Sequence, residues 1–571
     1  MKNRRHVGQV STFLSAAILL LLSVRVLAQA PSPRPQNQSP PAAATLRVTT
    51  RVVQVSVIAQ DGDGHPIIGL TRDDFKILDN GTEQKIVSFS QHSGRLTASA
   101  TPAVIPVSAN TFSNRVDEKT GVPPSVTVIL LDALNTDFQD MASARGQVVK
   151  FLRQIHPEDR VALYELTTKL IVLHDFTSDT ATLLRALGEA PNPQSGAPNE
   201  TLQITADTEA GLMAGGKGSI PAPDPGWLTA AMQREDVFDK SNKAEGTTDA
   251  FTQIAHHLAR LPGRKNLVWV SGSFPFNVDW DPTTRSEAPS FASQINLSAQ
   301  ALSDANVAIY PVDARGLMAQ RIAEGGVLFA RTRPGAPPQN TLDTMQKLAQ
   351  GTGGLANYNT NGIAEAIRHA IDDSSLTYEL TYYPTNEKWD GRFRDIKVEV
   401  KRPGVHLRYR KGYFATPATP PSAETQARLL TAAARDPLEA TQLGLNVQVN
   451  AVDAPGPRQV KVEVRVDPDQ LHFDLNAGRW NDNVEIAWVE LNEKGADVGH
   501  SAKILTLSYP DQGHDKIVRD GFTFGSTIGL VDDCVELRLV ARDGGTGAIG
   551  SVNIPLTRIF IKAGAGTSQN R

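Results

Sequence analysis

The stretch that decides the fold is SVTVILLDALNTDFQDMASARGQVVKFLRQI, residues 125–155. It opens with six apolar or β-branched residues, 126–131, and such a short run without polar alternation is typical of a strand buried on both faces. Asp132 ends the run, a polar turn follows, and mostly apolar residues then recur at helical spacing over residues 138–155. A strand, a turn and an amphipathic helix predict the first half of a βαβ unit. In such units ligands bind at the carboxyl ends of strands, where Asp132 stands.

Further along the chain, buried apolar runs alternate with amphipathic helical patterns. The predicted strands are residues 161–166, an edge hairpin partner at 170–174, and then 266–270, 307–312 and 378–383. Helices are predicted over residues 178–188, 250–261, 290–306, 342–350 and 362–374, and residues 394–401 and 406–410 are predicted as a β-hairpin extension. This order predicts a doubly wound, Rossmann-like α/β domain over residues 125–414. Two stretches rich in glycine and proline or otherwise loosely patterned, 191–226 and 316–340, are predicted as long loops.

The first turn of this domain resembles the metal-site segment of a von Willebrand factor type A (vWA) domain. That family carries Asp-x-Ser-x-Ser, and the five positions here read Asp132-Ala133-Leu134-Asn135-Thr136. A β-hairpin after the first helix is also similar to the vWA order. Much of the chain resembles the vWA-related proteins of acidobacteria, whose molecular function is poorly defined.

The resemblance implies a divalent-cation site with Asp132, Asn135, Thr136 and Thr247 as ligands. Thr247 follows Gly246 in a turn that resembles the one supplying the family's distal threonine, and Thr248 is the alternative. Mg²⁺ or another divalent cation is the implied ion, since these ligands are hard oxygens. Two positions depart from the family pattern, so the site is expected to be degenerate. Leu134 replaces a hydroxyl, and residues 271–272 read Ser-Gly where the family has Ser-Asp-Gly or Thr-Asp-Gly.

A purely structural role for Asp132 is the alternative to metal binding, because an aspartate at this position can also cap the first helix or form hydrogen bonds to neighbouring turns. Asp313 ends a neighbouring predicted strand and is expected to add negative charge to the same edge. Beyond the divalent cation that the resemblance implies, no cofactor is expected. No Gly-x-Ser-x-Gly elbow, His-Glu-x-x-His pair or Walker sequence is present. The expected protein is accordingly not an enzyme.

The regions around the α/β domain predict an exported, multidomain protein. Residues 1–30 combine a basic start, an apolar stretch and the small-x-small signal Ala-Gln-Ala at 28–30, which is typical of a signal peptide; an uncleaved membrane anchor is the alternative. Residues 31–45 are predicted as a disordered linker, 46–93 as a small β domain, and 94–124 as a second linker. No later stretch is apolar enough to span a bilayer, so the mature chain is expected in the periplasm or outside the cell.

The C-terminal third predicts a second β domain. Residues 415–442 are expected to be a linker and a short helix, 443–562 a β-sandwich of about seven strands, and 563–571 a flexible tail. The single cysteine, Cys534, excludes an intrachain disulfide, and the formal net charge of −4 argues against a general nucleic-acid binder.

Together these patterns predict a non-enzymatic scaffolding or protein-binding protein that contacts an unidentified protein partner through a vWA-like domain with a degenerate metal site. The alternatives are an envelope structural module without metal-dependent binding and an uncharacterised hydrolase.

Overall fold

The computed structural model describes residues 52–93, 110–115, 125–190, 225–272, 292–315, 341–358, 362–416 and 423–560. The predicted signal peptide, the linker at 31–45, the loop at 316–340 and the tail at 563–571 lie outside these residues, as does nearly all of the loop at 191–226. Among the described helices, none is both long and apolar enough to cross a membrane.

Within the described residues, five strands precede the α/β unit. They are β1 (Val53–Gln60), β2 (Phe75–Asp79), β3 (Thr82–Gln84), β4 (Ile86–Ser93) and the short β5 (Thr111–Ser113). Strand β5 lies inside the stretch predicted as a linker, which is therefore wrong for these three residues.

The α/β unit has a five-stranded sheet whose strands are β6 (Val126–Asp132), β7 (Val161–Leu166), β8 (Leu170–Thr177), β9 (Lys265–Ser271) and β10 (Val307–Asp313). Its spatial order is β10-β9-β6-β7-β8, parallel except for the antiparallel edge strand β8. Its helices are α1 (Phe138–Leu152), α2 (Thr180–Glu189), α3 (Pro225–Leu258), α4 (Ala292–Asp304), α5 (Thr341–Thr352) and α6 (Ile363–Asp372).

Strand β6 is central and buried along its whole length, as the apolar run predicts. Val128 and Leu130 pack into the core on one face of the sheet, whereas Ile129 and Leu131 pack into the core on the other. The edge hairpin after the first helix is also present. The mixed α/β character of this unit is thus visible in its strand order.

The next strands return to the N-terminal ones. They are β11 (Leu376–Tyr382), β12 (Phe393–Val400), β13 (His406–Arg408) and β14 (Gly412–Phe414). One sheet runs β13-β1-β11-β4 and the other β14-β12-β2-β3, and the two share one hydrophobic core. We name these eight strands the first sandwich. The α/β unit is therefore an insertion between its two halves.

This arrangement corrects two predictions. The strand at 378–383 does not belong to the α/β sheet, because β11 pairs antiparallel with β1 and β4. The segments 394–401 and 406–410 do not form a hairpin with each other, since β12 pairs with β2 while β13 pairs with β1. The physical reason is the alternating burial of β2, β11 and β12, which suits sheets with one face on a core rather than a strand covered on both faces.

After helix α7 (Ala423–Arg435) the chain is mainly strand. The strands are β15 (Leu445–Ala451), β16 (Gln459–Val466), β17 (Asp474–Asn476), β18 (Arg479–Leu491), β19 (Asp497–Tyr509), β20 (Phe522–Gly529), β21 (Glu536–Asp543) and β22 (Ile549–Pro555), with α8 (Asp511–Asp520) and α9 (Thr557–Phe560). One sheet runs β20-β16-β15-β5, and the other runs β17-β18-β21-β22 with β19 beside β18. The sequence predicts about seven strands in this region, and the two sheets hold nine in the described residues, including β5 and the short β17. We name this part the second sandwich.

Helix α3 corrects a third prediction. It spans Pro225–Leu258, so residues 225–226 are helical rather than part of a loop. The Gly-Thr-Thr-Asp stretch at 246–249 lies inside the helix rather than in a turn before it. Thr247 consequently reaches the carboxyl-end face of the sheet from within a helix.

Candidate functional site

The four predicted ligands lie together at the carboxyl end of β6. Asp132 is the last residue of that strand, and Asn135 and Thr136 follow in the turn before α1. Asn135 Nδ2 lies 2.8 Å from Asp132 Oδ2 and 2.8 Å from Thr247 Oγ1. The amide of Asn135 therefore bridges the carboxylate and the threonine hydroxyl. We name Asp132, Asn135, Thr136 and Thr247 the strand-end cluster.

The Asp132 carboxylate is fully buried and accepts four hydrogen bonds from the protein. Its Oδ1 accepts the backbone N–H of Asn135 at 3.0 Å. Its Oδ2 accepts from Asn135 Nδ2 at 2.8 Å, from Trp269 Nε1 at 2.9 Å and from Ser271 Oγ at 2.8 Å. Indole and amide N–H groups can only donate, so this surround suits an ionised carboxylate.

Two effects oppose each other on the pKa of Asp132. Burial is the larger effect and raises the pKa, because a charge in a poorly solvated interior is unfavourable. The hydrogen bonds from Asn135, Ser271 and Trp269 lower it by stabilising the charged form. These donors take the place of solvent around the charge.

The two threonines are also committed to partners inside the protein. Thr247 Oγ1 donates to the Lys243 carbonyl at 2.8 Å while it accepts from Asn135. Thr136 Oγ1 accepts the Gly272 N–H at 2.8 Å. Ser-Gly at 271–272, the departure from the family's acidic residue, thus contributes two donors to the strand-end cluster.

Leu134 stands where the family pattern has a hydroxyl. It packs as a partly buried side chain against the core beneath the sheet. A Cβ added to Gly246 of α3 would lie 3.1 Å from Leu134 Cδ2, so the helix passes close to the leucine. This position therefore gives an apolar helix contact instead of an oxygen ligand.

A divalent cation does not fit this arrangement. Calcium takes six to eight oxygen ligands and magnesium needs near-octahedral geometry, whereas the strand-end cluster has one carboxylate, both of whose oxygens already accept N–H or O–H donors. Asn135 directs its amide nitrogen, which donates and cannot ligate a cation, at both Asp132 and Thr247. The alternative, a structural role in which Asp132 forms hydrogen bonds to neighbouring segments, matches the observed contacts.

The second carboxylate expected at this edge is neutralised by its own neighbour. Asp313 is buried, and its two oxygens accept Arg315 Nε and Nη2 at 2.9 Å each. The Arg315 backbone N–H also donates to Asp313 Oδ1 at 3.0 Å. The bidentate pair leaves little free negative charge for a ligand, contrary to the expected contribution of Asp313.

Sequence reasoning missed Trp269, Ser271 and Arg315 as partners of these carboxylates. Arg315 carried a signal, because an arginine two residues after a strand-end aspartate can fold back onto it. Ser271 also stood visibly at the end of β9, next to β6 in the sheet. Trp269 gave no such signal, since an aromatic residue in an apolar strand is expected to be core.

Elsewhere in the described residues, one group of three side chains has metal-ligand spacing: Asp61, Asp63 and His65. They lie in the exposed turn after β1. Asp61 Oδ1 accepts the backbone N–H groups of Asp63 and His65 at 2.9 Å each, the pattern of a solvated turn.

Comparison with known proteins gives only distant structural similarities. No protein-family model matches the chain, and no curated protein matches it. Among solved structures, the chain is similar to an aerotolerance-related membrane protein from Bacteroides fragilis, with 15% identity, 44% of this chain and 99% of that chain covered, and a TM-score of 0.24. It is also similar to the conserved hypothetical protein BatB from Bacteroides thetaiotaomicron, with 15% identity, 45% of this chain and 99% of that chain covered, and a TM-score of 0.23. The similarity to the VWA domain of SpRpn10 has 15% identity, covers 33% of this chain and 74% of that chain, and has a TM-score of 0.16.

At these TM-scores we draw nothing from the relatives' names. The α/β unit has three of the features expected from the sequence, which are the parallel sheet, the antiparallel edge hairpin and the aspartate at the end of β6.

Proposed function

We propose that this protein is an exported, non-enzymatic scaffolding or binding protein whose vWA-like unit contacts a protein partner without a bridging cation. The export part of the proposal rests on the signal-like sequence of residues 1–30. The binding part rests on the carboxyl-end face of the α/β sheet.

One observation carries the proposal: the Asp132 carboxylate is surrounded by four protein donors. A vWA-like face that captures a partner through a cation needs a carboxylate with free lone pairs and an open coordination position. Here the Asn135 amide joins Asp132 and Thr247 by hydrogen bonds. The strand-end cluster is therefore suited to fixing the shape of the face rather than to binding an ion.

Two exposed aromatic side chains at this edge are suited to partner contact. Phe138 begins α1 directly after the strand-end turn and is 43% exposed, and Tyr358 is 44% exposed. Tyr358 follows Asn357, whose backbone pairs with Val312 near the end of β10. Aromatic anchors on a rigid support supply much of the binding energy in protein interfaces.

The proposal is tested with the purified full chain as bait for chemical cross-linking to an envelope fraction of the producing cell. We expect Phe138→Ala and Tyr358→Ala to reduce the cross-linked partner by at least about tenfold together, the loss typical of removing interface anchors. Ile68→Ala is the matched control, because Ile68 is a more exposed apolar residue, at 73%, in the segment between β1 and β2. Chelation with EDTA is expected to leave the yield unchanged.

Loss of capture on chelation would contradict cation-independent binding. Equal capture by all three variants would contradict the assignment of the carboxyl-end face.

The second candidate function is an envelope structural module in which the vWA-like unit is a packed spacer. It is favoured by the bonds that tie this unit to both sandwiches. Ser56 of β1 donates to Asn306 at 2.8 Å, and Thr441 Oγ1 donates to the His257 carbonyl at 2.9 Å. Arg260 also pairs with Asp469 at 3.1 Å. Under this candidate, substitutions on the carboxyl-end face are silent, whereas breaking these contacts disrupts assembly.

A further inference from the structure

A cavity of about 500 Å³ lies between the first sandwich and helices α4 and α5. Its lining includes Gln54, Gln300, Trp389, Arg410, Tyr413 and Phe414. Asp304, which ends α4 shortly before the start of β10, also lines it, so the cavity is at the amino-terminal edge of the α/β sheet. It is thus separate from the strand-end cluster and independent of the proposed function.

The guanidinium of Arg410 is the unusual group in this cavity. Arg410 is only 8% exposed, yet its Nε and Nη1 have no hydrogen-bond partner among the described residues. Burial lowers the pKa of this arginine, and the charge of Asp304 is the largest effect in the opposite direction. A buried cation with two unpaired N–H groups is costly, and native proteins usually provide it with an anion.

The backbone around Arg410 is held in place by close neighbours. Gly353 has a φ of +81°, and a Cβ added there would lie 2.8 Å from the backbone nitrogen of Arg410. The next residue, Lys411, donates its backbone N–H to the Gln350 carbonyl at 3.1 Å. These contacts fix the Cα of Arg410, which limits how far its side chain can move to find solvent.

The walls of the cavity are aromatic. Tyr413 is buried, Trp389 is half-buried, and the guanidinium of Arg394 lies 5.0 Å from the centre of the Trp389 ring and 5.8 Å from that of Tyr413. Arg394 is itself held by the Asn386 carbonyl at 2.8 Å. Flat, fixed walls of this kind favour a flat apolar group beside the anion.

We propose that this cavity binds a small organic carboxylate with an aromatic body, whose carboxylate pairs with Arg410 and whose ring lies among Trp389, Tyr413 and Phe414. A monoanionic carboxylate is preferred over a phosphate dianion because exposed Asp304 lines the same cavity and repels added negative charge. A hydrogen bond between a guanidinium and a carboxylate is charge-assisted and is therefore stronger than one between neutral groups.

The test uses calorimetry on the full chain with phenylacetate and its neutral isostere phenylacetamide. For a probe of this size we expect phenylacetate to bind with a dissociation constant on the order of 1 mM. The amide is expected to bind at least about tenfold more weakly, since it lacks the charge that pairs with Arg410. Inorganic phosphate is expected to bind more weakly than phenylacetate.

Arg410→Met keeps the apolar length of the side chain and removes its charge. We expect it to weaken phenylacetate binding at least about tenfold. We also expect it to raise the melting temperature of the ligand-free protein, because two buried N–H groups without hydrogen-bond partners are lost. Arg392→Met is the matched control, since Arg392 has a side chain that is 87% exposed. Both the affinity and the melting temperature should stay unchanged in that control.

Three results would overturn the proposal. They are equal binding of the acid and the amide, unchanged phenylacetate binding in folded Arg410→Met, and no saturable binding of phenylacetate to the wild-type chain. Tighter binding of phosphate than of phenylacetate would replace the carboxylate assignment.

Discussion

Replacing Asp132 with alanine should destabilise the protein even when every divalent cation has been removed. The substitution removes the carboxylate that accepts from the Asn135 backbone N–H and from Trp269 Nε1, whereas Ser271 can rotate and Asn135 Nδ2 keeps Thr247. Each buried donor left unpaired costs about 1–3 kcal/mol, so two cost about 4 kcal/mol. Asp132→Asn keeps one acceptor oxygen and should cost less, about 2 kcal/mol.

The assay is hydrogen exchange by mass spectrometry on the full chain in EDTA, following the peptide that contains β6. Because β6 is central and fully buried, its amides report the larger opening reactions of the α/β unit. Asp137→Ala is the matched control in the same turn, since Asp137 is exposed and makes no side-chain cap bond to α1. It should change the opening free energy by less than about 0.5 kcal/mol.

The reasoning would be refuted if Asp132→Ala slowed exchange in β6 under metal-free conditions. That result would mean that the carboxylate is an uncompensated buried charge waiting for a cation, because removing such a charge stabilises a protein.

Three further predictions concern other parts of the fold. Burial and the hydrogen bond with Asp543 raise the pKa of Asp482 to about 9. The wild-type protein should therefore lose stability as the pH rises from the ordinary aspartate pKa through about 9, because the folded state holds this proton more tightly than the unfolded state. Urea denaturation should show Asp482→Asn equal to wild type near pH 4 and more stable than wild type at pH 9. Burial lowers the pKa of Lys265 to about 7, so the free energy of unfolding should increase between pH 7 and the ordinary lysine pKa in wild type but less in Lys265→Met, as a denaturation series in pH would measure. Gly412→Ala should cost more than about 2 kcal/mol in the same assay, because its Cβ would lie 2.3 Å from the Arg394 carbonyl oxygen; a change below about 0.5 kcal/mol would contradict the packing described for β14.

The order of strands and helices in the α/β unit could be predicted because its central strands are buried on both faces. Residues 126–131 have no polar alternation, and this pattern has few other interpretations in a chain that continues into an amphipathic helix. Strand β11 shows the limit of the method. Its apolar residues Leu376, Tyr378, Leu380 and Tyr382 alternate with Thr377, Glu379 and Thr381, which already indicated a sheet with one buried face. Its position after the last helix made it look like the sixth strand of the α/β sheet.

Strand β5 could not have been found from its own residues. Three residues carry no periodicity, and the strand is fixed by long-range contacts instead. Asn114, the next residue, is buried and donates through Nδ2 to the carbonyls of Ala440 at 2.7 Å and Leu443 at 2.8 Å. Tertiary hydrogen bonds of this kind leave no signal in a sequence pattern.

At the strand-end cluster, the residue types could be predicted but their relations could not. The aligned positions identified Asp132, Asn135, Thr136 and Thr247, and these side chains do lie together. Whether such oxygens face an ion or bond to one another depends on where Asn135 directs its amide and on donors from β9. The indole of Trp269, four residues after the start of that strand, settles much of this and is invisible in a motif.

The most direct test of cation-independent function is calorimetric titration of the full chain with Mg²⁺, Mn²⁺ and Ca²⁺, using Asp132→Asn as the paired variant. We expect no difference in binding heat between wild type and Asp132→Asn, because both Asp132 oxygens already accept protein donors and the Asn135 amide bridges Asp132 and Thr247. Saturable binding of any of the three ions to wild type that is lost in the folded variant would contradict the account and restore a cation-bridged partner site.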